Sequence, residues 1–156
     1  MPNWCEGTLK VRGTIKDLKD FVLNGLIPVN PLGVTKEPLS LDGEDETSLY
    51  ISSTPDTLYI KGTRRAFCEP DYIEVSSDEP NDKTILTMPF KQAWAILSDN
   101  LLAVCKEFNV DMKIQGFERG MRFSQIVEIV NGEIVQDEEI KYDDWEWDCP
   151  CPDMGG

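Results

Sequence analysis

The dipeptide Asn131-Gly132 constrains this chain more than any other feature. Both residue types tolerate the left-handed backbone that a two-residue hairpin turn requires. They stand between two strand-like runs, residues 123–130 and 133–142. The first run carries Ile126 and Val130 on one face and Val127 and Ile129 on the other, the pattern of a strand covered in part on both sides. An antiparallel sheet closed by this hairpin is the frame into which the other elements must fit.

Upstream, Thr8 to Arg12 reads as a strand closed by Gly13. Thr14 and Asp17 form a partial capping box. Ile15, Leu18, Val22 and Leu26 then recur at helical spacing, with Gly25 as an end signal. Pro28, Pro31 and Pro38 mark a loop. Leu49-Tyr50-Ile51 and Leu58-Tyr59-Ile60 are short strands about the turn Thr54-Pro55-Asp56. Residues 72–75 and 84–87 are weaker strand candidates separated by a polar loop. Pro89 opens a second helix, in which Phe90, Trp94, Leu97, Leu101, Val104 and Phe108 form one apolar stripe. A strand over residues 110–116 precedes the hairpin. The economical packing is an α+β fold, a ferredoxin-like split βαβ sandwich: an antiparallel sheet with two helices on one face and a C-terminal hairpin. Residues 1–142 make that single domain, and residues 143–156 are expected to be a mobile acidic tail.

Charge and residue types then narrow the chemistry. The 156 residues hold 29 Asp and Glu against 15 Lys and Arg, a net charge of -14, with no histidine. Ser-His-Asp and Cys-His nucleophilic sites and His-bearing zinc sites therefore lose their usual parts. No apolar run is long enough to span a membrane and the N-terminus lacks the features of a signal peptide, which together imply a cytoplasmic protein. The five cysteines suit free thiols in a reducing compartment. Cys5 stands beside Glu6 with no base to activate it, so a structural role is expected. Cys149 and Cys151 supply two soft ligands, to which only the remote Cys5 or Cys68 could be added, and no metal or other cofactor is expected. Asp42, Glu44 and Glu46 alternate in a loop without the spacing of a calcium hand, which makes a metal-dependent hydrolase the weakest reading.

The acids gather in three places: residues 42–46, residues 69–82 and residues 131–156. The last segment sets Glu133, Asp137, Glu138, Glu139, Asp143, Asp144 and Glu146 beside Trp145 and Trp147, with Lys141 the one cation. Such a segment suits an electrostatic surface with aromatic anchors for a basic partner. Net negative charge opposes direct nucleic-acid binding. The one dense basic spot, Lys61, Arg64 and Arg65 flanked by Tyr59 and Phe67, suits an alternative in which the chain holds and sequesters a nucleotide.

The opening Met1-Pro2-Asn3-Trp4-Cys5-Glu6-Gly7-Thr8-Leu9-Lys10-Val11-Arg12-Gly13 resembles that of YubB-like proteins, a ferredoxin-like family of phages and plasmids. Trp94 and its helix, Phe117-Glu118-Arg119-Gly120-Met121-Arg122-Phe123, and the Asn131-Gly132 hairpin are similar to that family's later segments. Ser124 and Arg64-Arg65-Ala66-Phe67 depart from its pattern, and the acidic tail has no counterpart in it. The resemblance implies the ferredoxin-like fold, an origin on a mobile element and a bacterial host cytoplasm, and it supplies no catalytic residues. The expected function is then a non-enzymatic inhibitor. It would occupy the basic, nucleic-acid-binding groove of a host protein, such as a defence nuclease, by imitating phosphates with carboxylates. A homodimer is also compatible with the sequence.

Overall fold

A computed structural model describes all residues except 1, 33, 36, 44, 55 and 56. Met1 of the opening motif, Glu44 of the loop acids, and Pro55 and Asp56 of the expected turn lie outside the described residues. In chain order the elements are β1 (Trp4–Gly13), α1 (Ile15–Asp20), β2 (Leu26–Val29), β3 (Ser48–Ile51), β4 (Thr57–Ile60), β5 (Ala66–Cys68), β6 (Ile73–Ser76), β7 (Thr84–Ala93), α2 (Ser98–Phe108), β8 (Asp111–Glu118), β9 (Phe123–Val130), β10 (Glu133–Lys141) and α3 (Trp145–Asp148). A single π-helical turn, Phe21–Gly25, continues α1.

Eight strands form one sheet in the order β10-β9-β8-β1-β7-β5-β4-β2, and β3 and β6 form a separate ribbon. Every strand pair is antiparallel. The first strand is central, with Leu9 opposite both Met88 of β7 and Ile114 of β8. Strict alternation along β1 buries Cys5, Leu9 and Val11 on one face and leaves Thr8, Lys10 and Arg12 on the other. The buried face meets α1, the π-turn and α2 in one apolar core, where Phe21 and Phe108 pack edge to face at 5.8 Å. Local signals place α1 well: the Thr14 hydroxyl accepts the Asp17 N–H at 3.2 Å.

The ferredoxin-like sandwich expected from sequence is not what the chain forms. Its antiparallel sheets dominate, its helices are short, and only 17% of the chain is helical. The misreading centres on Pro89. Residues 84–93 are strand, and α2 begins only at Ser98. Phe90 fits the helical stripe, yet it also fits the strand alternation that buries Leu86, Met88 and Gln92. Pro89 is tolerated in a strand with neighbours on both sides because β5 ends opposite it. Its carbonyl accepts the Glu69 N–H just past Cys68, where no ladder partner needs the missing donor. Trp94 then turns the chain at φ 71°, and Leu101, Val104 and Phe108 bury the stripe of the true helix. The short strands also pair otherwise than their proximity suggests: β3 joins β6, while β4 lies between β2 and β5.

Residues 143–156, expected to be mobile, are seated on the sheet. Trp145 is buried with Phe117 and Cys149, and its indole N–H donates to the Pro152 carbonyl at 2.8 Å. At the end of the segment Gly156 exchanges two backbone hydrogen bonds with Trp4.

Candidate functional site

Strand β10 is the outermost strand on one side of the large sheet. Glu133, Asp137, Glu138 and Glu139 are exposed along it, and exposed Asp143, Asp144, Glu146 and Trp147 continue the run into α3. Eight of the nine expected contact residues are thus exposed, four along β10 and four in the following segment, which packs through Trp145 on Phe117 of β8 and leaves Trp147 86% exposed. Trp145 is the exception, at 6%. The two tryptophans are about half a helical turn apart, so they face different ways.

Not all of these carboxylates are equally available. Asp137 accepts from the Ser98 hydroxyl at 2.7 Å and the Gln125 amide at 2.9 Å, tying β10 to β9 and α2. Glu139 lies 3.2 Å from Lys141, and Glu146 lies 3.5 Å from Arg119. Asp144 caps α3 through the Trp147 N–H. Glu133, Glu138 and Asp143 use their carboxylates in no such bond among the described residues. Glu138 opposes Ile126 and Glu139 opposes Gln125, so these two adjacent carboxylates address opposite faces of the margin.

The basic spot has a different construction. Lys61 is exposed and enters no ion pair among the described residues. Arg64 is a clamp: its guanidinium donates to the Ala93 carbonyl at 2.6 Å, its N–H to Asn100, and its carbonyl accepts from Gln92. Arg65 adopts the left-handed region, φ 52°, and its guanidinium lies 5.3 Å from the centre of the Trp4 ring. Lys91 lies 4.9 Å from the same centre and 2.6 Å from Glu69. Trp4 and Lys91 were missed from sequence. Their alternation marks the outer face of β1 and β7, but only the register between distant strands unites them.

The remaining candidates are built into the fold. Burial, then the charge of Glu118, pushes the Cys5 thiol up to about 12, and burial pushes Cys105 up to about 12 as well. Cys68 and Cys149 are raised by the same first cause. Such thiols are poor nucleophiles at neutral pH. Buried Glu118 accepts from the N–H groups of Gly120 at 2.7 Å and Met121 at 2.8 Å, holding the β8–β9 turn. Among the described residues no three His, Cys, Asp or Glu side chains group as a metal would need. No described helix is long and apolar enough to cross a membrane.

No protein-family model, curated protein or solved structure matches this chain.

Proposed function

We propose that this is a non-catalytic binding protein whose β10–α3 margin docks into a basic groove of a partner protein, in competition with nucleic acid. One observation supports the reading: eight of the nine residues singled out from sequence are exposed along edge strand β10 and the segment that follows it, with Trp147 the most exposed. Carboxylates spaced along an extended strand offer a row of anions to Lys and Arg side chains that otherwise hold phosphates. The same charges discourage pairing between sheet edges, so the margin stays available as a monomeric surface. Trp147 supplies the large apolar contact that interface anchors provide. In the mobile-element setting implied by the YubB-like resemblance, the partner would be a host nucleic-acid-binding protein, such as a defence nuclease, in the cytoplasm.

The test is capture from host lysate with the native chain and with Glu138→Gln, Glu139→Gln, Asp143→Asn and Asp144→Asn combined. Asn retains the cap at position 144, so folding is preserved. The native chain should retain a partner that added DNA displaces and that elutes between about 0.05 and 0.5 M salt. The neutralised chain should lose it. Equal retention by the two chains would end the proposal.

A further inference from the structure

We infer that the sheet face formed by Trp4, Tyr59, Phe67, Arg65 and Lys91 binds a small free nucleotide. The registers Tyr59 to Phe67, Phe67 to Lys91 and Lys91 to Glu6 set these positions side by side across β4, β5, β7 and β1. Trp4 lies on the same face, two residues before Glu6. Its ring centre is 5.9 Å from that of Phe67, which is 5.8 Å from that of Tyr59. The rings are tilted by 71° and 53° rather than stacked. The half-buried Tyr59 and Phe67 rings, outside the helix-covered core, offer apolar surface to a planar base beside a Trp4 ring that Arg65 and Lys91 cap.

The cations fit the other half of such a ligand. The Arg65 guanidinium has no carboxylate partner among the described residues and lies over the Trp4 ring. Lys91 shares its charge with Glu69, and Glu6 is occupied by the Gly155 N–H. A phosphate would draw on Arg65 first and compete with Glu69 for Lys91.

The turn that presents Arg65 is rigid before any ligand arrives. The Thr63 hydroxyl donates to the Ile60 carbonyl and accepts the Ala66 N–H. The Tyr59 hydroxyl donates to the Thr63 carbonyl, and the Arg65 carbonyl accepts the Ala93 N–H. A left-handed arginine held from both sides is preorganised, and little ordering remains to oppose binding.

Charge selects the occupant. Arg65 offers a cation with no carboxylate partner among the described residues in a chain of net charge -14, so a short anion finds a local partner while a long polyanion is repelled by the remainder. The proposal does not depend on the carboxylates of β10, a strand that lies three places from β1 and five from β5 in the sheet, about 14 and 24 Å at the usual strand spacing.

Titration calorimetry and thermal shift with AMP, GMP, CMP and UMP test the site, with inorganic phosphate and an eight-base single strand as comparators. At least one mononucleotide should bind saturably and raise the melting temperature. Arg65→Gly should weaken it by about tenfold or more. Glycine accepts the left-handed backbone, so this variant should fold at least as well as the native chain. Lys91→Gln should weaken binding by a smaller factor, and the four acidic substitutions above should leave it unchanged. The inference falls if no mononucleotide saturates by about 10 mM. It also falls if Arg65→Gly binds equally, if phosphate alone binds as tightly, or if the single strand binds more tightly than every mononucleotide.

Discussion

On one side of the large sheet β10, β9, β8, β1 and β7 run for eight to ten residues, whereas β5, β4 and β2 run for three or four. The long wing is held by continuous backbone ladders over an apolar face. The short wing has too few ladder bonds to set its own position, and side chains do it instead: Thr63, Arg64, Gln92 and Asn100 bond to main-chain groups around residues 60–66 and 93–97. Side-chain bonds of this kind can hold a turn in a strained shape that a regular ladder would not allow, and the basic, aromatic patch spans the seam between the two wings.

The contrast can be broken from either side. Gly7 lies where β1 crosses β8, and a Cβ there would meet the Gln115 carbonyl oxygen at 1.8 Å. Gly7→Ala should therefore cost about 4 kcal/mol or more in urea denaturation, because backbone rather than a mobile side chain blocks it. A loss below about 1 kcal/mol would show the long wing to be far more pliable than its ladders suggest. Gln92 is fully buried where the wings meet, donating to the Arg64 carbonyl and accepting the Leu97 N–H. Gln92→Leu should cost about 2–3 kcal/mol by leaving both groups unpaired. Hydrogen exchange should quicken in residues 57–68 more than in β8 and β9.

Asp111 locks the far end of the long wing, 2.8 Å from Arg12 and 3.0 Å from the Asn131 N–H. Burial alone would raise its carboxyl, but the Asn131 N–H and the Arg12 guanidinium outweigh burial and hold it below the ordinary value. The unfolded chain then takes up the proton more readily than the folded one. The contribution is complete above about pH 4, the unfolded value, and disappears as pH falls through the lower folded value. Asp111→Asn should cost about 1–2 kcal/mol at pH 7 and flatten that acid limb in denaturation curves. The smallest effect belongs to the short wing: Arg65→Gly should stabilise by about 0.5–1 kcal/mol in the same assay, through release of the left-handed strain.

What could be read from sequence was local. Asn131 and Gly132 adopt φ 51° and 72°, as their dipeptide required, and Thr14 caps the helix it precedes. Residues 84–93 could not be separated from the following helix, because Phe90 satisfies two periods at once. The exposure of the acidic residues 133–146 was legible from their run of charge, because strand and helical turn follow one another without a long excursion. Within it, Trp145 and Trp147 looked alike, and only the α3 turn decides that one is buried and the other exposed. The Trp4–Arg65–Lys91 group was half visible: its arginine stands out as charge, while its tryptophan and lysine reach it only through the pairing of β1 with β7 and β7 with β5.

The strand at the centre of the sheet is also the first in the chain. Its neighbours, the segments around Met88 and Ile114, emerge from a ribosome long after it, and until then its apolar side chains have no sheet to join. Closing such long loops comes late and slows folding. During synthesis this strand must wait, exposed to chaperones or to other nascent copies, until residues 84–118 are available.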